Sequence, residues 1–339
     1  MEKKARVVYF DVLNILAALS VVFLHCNTRV HTFSDTPAWR QMLFVEVFCY
    51  WAVPIFLMLS GATLINYRER YSTPQFFKKR FVKTVIPFVI WTFISILDAK
   101  INIVEIGERA FINRFFGAGF ESIYWFFIPL FSVYLAMPVL SLLKDNRQIL
   151  WYMAGGAFLL NSLGPALFRY VGLQWNGSLS MLTTGGMLLF PILGYLLSVT
   201  DFTKKQRICI YALGLFGAVL RYLVTDLLSV RDGAINRLMF DYNGFYSILL
   251  ACGVFTFFKY APLCAKLGEN QTAVKVLKTV SSCSFGVYLM HMIIYRKLDD
   301  FLPVNSYLWR LLVPFLIYGI ALAITYVIKK IPILKNIVP

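Results

Sequence analysis

The stretch that decides the fold is YFDVLNILAALSVVFLHCNT, residues 9–28. It is long and apolar enough to cross a bilayer, whose hydrocarbon core of about 30 Å takes ~20 helical residues. Yet it holds Asp11, Asn14 and His25. A helix turns about 100° per residue, so Asn14 and His25 differ by only ~20° around its axis. Asp11, one turn before Asn14, joins the same face. At a rise of about 1.5 Å per residue, Asn14 and His25 stand roughly 16 Å apart, half the hydrocarbon thickness. Polar groups at that depth cost several kcal/mol unless paired or wetted, so this stripe marks either a site or a packing seam.

The rest of the chain has the same character. Of 339 residues, 59% are hydrophobic and 15% charged, against about 45–50% and ~25% in soluble domains. The fold class this predicts is all-α: a polytopic membrane protein with about ten transmembrane helices in one bundle. Apolar runs fall at about 8–26, 43–65, 84–101, 124–143, 149–164, 182–199, 208–228, 243–260, 280–297 and 307–328. No linker separates a second unit, so residues 1–339 are read as one transmembrane domain. Lys3, Lys4 and Arg6 before the first run resemble the start of a signal peptide. No small-residue cleavage site follows and further spans do, which predicts a retained first helix.

The net charge of +16 is read as loop charge that orients helices and meets anionic lipid, not as a nucleic-acid surface. Basic residues concentrate in the segments that a cytoplasmic N-terminus places inside, so both termini are expected in the cytoplasm. His25 then lies near the outer end of the first helix and Asp11 near the inner end. The cysteines are read mainly as small packing groups; Cys26 and Cys49, both toward the outer face, are the one pair placed for a disulfide.

Further polar groups occur at membrane depth. The second span carries Glu46, with Pro54 as an expected kink and Ser60-Gly61 at its inner end. In SSCSFGVYLMH, residues 281–291, Ser284, Tyr288 and His291 share one helix face. Arg221 sits inside the seventh span, and His31, in an outer loop, has no assigned role. A histidine titrates near neutrality, so His25, given a proton-relay partner, suits a general base acting on a hydroxyl, and Asp11 is the other candidate catalytic residue. The same groups suit a proton-coupled transporter, and the plainer reading is that His25 and His291 hydrogen-bond neighbouring helices. The loop YRERYSTPQFFKKRFVKTVIP, residues 67–87, is either topology signal or an anion site. In the second case Arg80, Lys79 and Lys83 would grip phosphates of a cytoplasmic ligand. No Gly-rich phosphate loop and no metal-ligand spacing occurs, so neither ATP hydrolysis nor a metal is expected.

With these residues in view, the chain resembles the acyltransferase-3 family of integral-membrane acyltransferases. It is most similar to the stand-alone members, a group that includes the O-acetyltransferase of enterobacterial common antigen. YFDVLNILAALSVVFLH looks like the family's first helix, AVPIFLMLSG its second, and FFKKRFVKTVIPF the basic loop before its third. YWFFIPLFSVYLAMPVL resembles its tryptophan-containing fourth helix, and SFGVYLMH the Ser-Phe-Gly-x-Tyr-x-x-His of its ninth. Two positions depart from the pattern. Asn14 stands where the family has Arg, leaving Asp11 without its expected partner three residues on. Ser122-Ile123-Tyr124-Trp125 stands where a His commonly precedes Leu-Trp-Phe.

The resemblance implies transfer of an acyl group, usually acetyl from acetyl-CoA, to a hydroxyl of an extracytoplasmic or lipid-linked glycan. His25 would be the base or acyl relay. Arg80, with Lys79, Lys83 and Asn14, would meet the CoA donor. Glu46, Trp125, Ser284, Tyr288 and His291 would line or support the site. The location implied is a bacterial plasma (inner) membrane. Transport of a polar solute or polysaccharide, or a non-catalytic place in glycan assembly, are the other readings; oligomeric state stays open, a homodimer included.

Overall fold

The structure is a computed structural model that describes residues 6–181, 185–299, 301 and 307–339. Lys3 and Lys4, used above for orientation, lie outside the described residues. Every regular element among those residues is helical. The first half holds α1 (Val8–Cys26), α2 (Pro37–Cys49), α3 (Ala52–Leu64), α4 (Thr73–Arg80), α5 (Ile86–Asp98), α6 (Ile103–Ile106), α7 (Glu108–Phe116) and α8 (Phe127–Leu140). The second holds α9 (Arg147–Ala157), α10 (Gly164–Tyr170), α11 (Leu189–Val199), α12 (Lys204–Asp232), α13 (Phe245–Tyr260), α14 (Pro262–Glu269), α15 (Gln271–Asp299), α16 (Tyr307–Leu311) and α17 (Val313–Lys330). The chain is an all-α polytopic membrane protein.

By length and composition, seven helical stretches among the described residues can cross a bilayer. They are eight if α13 and α14, bent by 44°, form one span. Two of the ten expected segments are not among them. Residues 149–164 fall in α9, a π-helical stretch and the start of α10. The run at 182–199 holds the 11-residue α11, which at 1.5 Å per residue reaches roughly 16 Å; residues 182–184 lie outside the described part.

Prolines set the breaks. The expected kink at Pro54 is present as an interruption between α2 and α3 at Tyr50 and Trp51, one turn upstream, where the ring would meet the Tyr50 carbonyl. Pro87 and Pro165 act differently: each follows a π-helical stretch, Phe81–Val85 and Phe158–Leu163 respectively. The wider turn removes the demand for an N–H that proline lacks.

Helix α1 is central, packing on α3, α15 and α17, and its buried Leu13, Ala17, Val21 and Val22 belong to the main core. Helices α3 and α11 touch backbone to backbone. A Cβ added at Gly61 would fall 1.9 Å from the Pro191 carbonyl oxygen, and one at Gly194 2.0 Å from that of Met58. All six cysteines are free, so Cys26 and Cys49 serve as buried packing groups and the disulfide placement is not realised.

Candidate active site

The polar stripe of α1 faces α15. Asn14 donates from Nδ2 to the Ser281 carbonyl at 2.9 Å and its hydroxyl at 3.0 Å. Eleven residues later His25 Nδ1 meets His291 Nε2 at 2.8 Å. The two helices therefore run parallel, with polar contacts about three turns apart. Asp11 does have a cation: Arg6 binds it through two nitrogens, at 2.5 and 2.6 Å. The position three residues on, Asn14, supplies no cation; Arg6, five residues before, takes that place. Arg6 precedes the helix, whose N-cap Val7 is extended, so its guanidinium folds back onto the first turn.

The histidine pair has a definite proton arrangement. His291 is buried, and its Nδ1 faces only the carbonyls of Tyr288 and Val287, at 2.8 and 3.2 Å. A carbonyl oxygen cannot donate, so Nδ1 of His291 carries the hydrogen and its Nε2 is the acceptor when the ring is neutral. His25 must then donate from Nδ1, which leaves the lone pair on its own Nε2. His25 lines a cavity of about 220 Å³. The chain of two imidazoles ending on backbone carbonyls thus holds His25 in the tautomer of a base.

Beside that cavity the charged groups Glu46 and Arg221 are already partnered. Glu46, buried on α2, contacts Arg221 of α12 at 3.5 Å. Arg221 also donates to the Met239 carbonyl at 2.8 Å and the Glu46 carbonyl at 3.3 Å. Its guanidinium lies 3.5 Å from the centre of the Tyr50 ring. Tyr50 stacks on Tyr242 at 4.2 Å, and Tyr242 on Trp125 at 5.5 Å. The break before Pro54 delivers Tyr50 to this stack, and the loop between α12 and α13 delivers Tyr242. His31 lines the same cavity; burial, with the cations Arg237 and Arg221 adding to it, lowers its pKa and favours the neutral ring.

At the Asp11 end of α1 lies a second cavity, of about 390 Å³. Asp11, Asn14, Ser281, Ser284, Arg80 and Lys83 are among the residues that line it. Arg80 makes no ion pair among the described residues, and its Nε is buried without a partner. Its guanidinium lies over the rings of Phe76 and Tyr134, at 5.8 and 5.6 Å. Lys83 is exposed and sits in the π-helical stretch ahead of Pro87. Lys79 is placed elsewhere, its ammonium 3.9 Å from the centre of the Tyr71 ring.

Phe56, Phe126 and Tyr288 border both cavities. Tyr288 is fixed by a hydrogen bond from its hydroxyl to the Ile123 carbonyl. A cation-lined chamber and a histidine-lined chamber thus share one aromatic wall.

The family model of the acyltransferase-3 domain, described as an acyltransferase domain, matches residues 7–330. The chain belongs to the acyltransferase-3 family. It is therefore a membrane acyltransferase by family. No curated protein and no solved structure matches it in the corresponding comparisons.

Within this acyltransferase-3 domain, the structure gathers nearly every residue singled out from the sequence. Asp11, Asn14, Arg80, Lys83 and Ser284 line one chamber, and His25, Glu46 and Trp125 the other; Tyr288 lines both and His291 backs His25. Tyr50, Tyr242 and Tyr134 were missed, and His31, given no role from the sequence, lines the histidine chamber. Each of these tyrosines is an aromatic residue in an aromatic-rich chain, and no spacing rule singles them out. At the position of the departing fourth-helix motif, Tyr124 donates its hydroxyl to the Leu289 carbonyl at 3.0 Å and so buttresses α15 two residues before His291.

Proposed function

We propose that this acyltransferase-3 member is a membrane O-acyltransferase that moves an acyl group, acetyl by preference, from acyl-CoA to a hydroxyl of an extracytoplasmic or lipid-linked glycan. The observation that carries this reading is the pair of chambers sharing the Phe56–Phe126–Tyr288 wall. One offers unpaired cations suited to the phosphates of CoA; the other offers a lone pair on His25 Nε2. In this reading the donor enters from the cytoplasm, at the Arg80 end, and its thioester arm passes the aromatic wall. The acceptor sugar lies against the Trp125–Tyr242–Tyr50 stack, whose ring faces suit the apolar faces of a pyranose. The enzyme's place is a bacterial inner membrane.

The step balances as follows. His25 Nε2 takes the proton of the acceptor hydroxyl while the oxygen attacks the thioester carbonyl carbon. The resulting imidazolium is held by its Nδ1–H bond to His291 Nε2, an acceptor that does not compete for the proton on the reacting side. The tetrahedral intermediate collapses, the C–S bond breaks, and the CoA sulfur leaves with the proton returned from His25. Asp11, already ion-paired with Arg6 at the far end of the stripe, steadies the donor chamber and does not touch the reacting atoms. An acyl-His25 relay uses the same lone pair and is separated from direct attack by whether label stays on the protein.

The test is acetyl-labelled acetyl-CoA given to the purified protein in liposomes, wild type beside His25→Ala, with CoA release and label on added glycans or on protein as readouts. Release that requires His25 supports acyl transfer. Equal silence in both proteins across acyl-CoAs and acceptors, with CoA still bound, contradicts it.

A further inference from the structure

A third cavity, of about 340 Å³, lies between α15 and α17. Lys275 and Lys278 enter it from the first turns of α15, Lys329 and Lys330 from the last turn of α17, with Thr279 beside them. No carboxylate lines it, and none of the four lysines has an acidic partner among the described residues. Four cations of like sign repel one another, and nothing in this wall offsets that cost. Lys329 is anchored by donating to the Ser282 carbonyl at 2.7 Å. Lys330 lies 5.0 Å from the centre of the Tyr326 ring.

The apolar residues next to this cluster face outward. Val276 on α15 and Ile324, Tyr326 and Val327 on α17 are all exposed large hydrophobics, and α17 is long and apolar enough to span a membrane. A spanning helix whose last turn turns from exposed apolar side chains to lysine, with a tyrosine at the junction, ends at the headgroup layer. The cavity thus offers cations at the level of phosphates and an apolar flank at the level of acyl tails. A soluble anion would use the first and not the second.

We propose that the α15–α17 cavity binds the phosphate of an anionic phospholipid, its diester held by Lys275, Lys278, Lys329 and Lys330 and its tails laid along Tyr326 and Val327. The assignment is independent of the acyl-transfer reading, because its ligand is bound and not turned over. The site nonetheless adjoins the donor chamber. Ser282 borders both cavities, and Lys83 lies near enough to Lys329 for their charges to repel. A bound lipid phosphate would relieve that repulsion.

The experiment measures equilibrium binding of short-chain phosphatidylglycerol, phosphatidylcholine and adenosine 3′,5′-bisphosphate to the purified full chain in neutral detergent. The variants are the pairs Lys275→Gln/Lys278→Gln and Lys329→Gln/Lys330→Gln, their Lys→Arg counterparts, and Lys204→Gln/Lys205→Gln on α12 as a control. Each lysine near an anionic headgroup supports binding severalfold, so either glutamine pair is expected to weaken phosphatidylglycerol about tenfold or more. The arginine pairs and the α12 pair are expected to leave it within about twofold, and phosphatidylcholine is expected to bind far more weakly throughout. An equal loss from the α12 pair would mean general surface charge and overturn the site. Loss of bisphosphate binding with phosphatidylglycerol unaffected would overturn the lipid assignment in favour of a nucleotide phosphate.

Discussion

The two chambers that share the aromatic wall differ in how their polar groups are satisfied. Beside His25 the charges are settled within the protein: Glu46 with Arg221, His25 with His291, and Arg221 on the face of Tyr50. Beside Arg80 they are not, for Arg80 has no acidic partner among the described residues and Lys83 is exposed. The first chamber is preorganised, and its chemistry needs one lone pair in one place. The second is left electrostatically incomplete, as a chamber is whose ligand brings its own negative charge. On the proposed acyl-transfer reading, the contrast would separate the residues that set the rate from those that set donor affinity.

The sharpest break in that comparison is His25→Ala. It is expected to cost about 10³-fold or more in transfer rate, read as CoA release under saturating donor, because the proposed general base is removed. Next comes Arg221→Ala. Removing the partner of buried Glu46 leaves an uncompensated charge and is expected to destabilise the fold by about 3–5 kcal/mol; thermal unfolding in detergent reads it, and an unchanged midpoint would contradict the pairing. His291→Ala is expected to lower kcat by roughly 10–100-fold with KM for acyl-CoA unchanged, since it orients His25 and touches no substrate. A change in KM alone would place it in the donor site instead.

Smaller effects sharpen the other chamber. Arg80→Gln is expected to raise KM for acyl-CoA about tenfold while leaving the unfolding midpoint unchanged, for it breaks no ion pair. Lys79→Gln is expected to change KM by less than about twofold, because its ammonium lies on Tyr71 and outside the chamber. A Lys79 effect equal to that of Arg80 would erase the distinction drawn between them.

Much of this was legible in the chain because helical periodicity is a local property. The stripe of Asp11, Asn14 and His25, the face of Ser284, Tyr288 and His291, and the break at Pro54 all follow from spacing along one helix. What spacing cannot reach is pairing across helices. Glu46 and Arg221 are 175 residues apart, and nothing in either neighbourhood names the other. Arg6 escaped for a different reason. The rule of partners three or four residues apart holds inside a helix, and Arg6 lies before its start. The spans at 149–164 and 182–199 were read from hydropathy alone, which does not register the π-helical turn ahead of Pro165 or the shortness of α11. The aromatic stack was invisible because Tyr50 and Tyr242 look like any of the chain's 19 tyrosines until the loops bring them together.

The most direct test of the two-chamber account is equilibrium binding of CoA to His25→Ala and Arg80→Gln, each beside the wild type, at one ionic strength. The account predicts that His25→Ala binds CoA as the wild type does while transferring nothing, and that Arg80→Gln binds it about tenfold more weakly. Equal loss of CoA binding in both variants, with both still folded, would contradict it, because one undivided site would then serve donor binding and catalysis together.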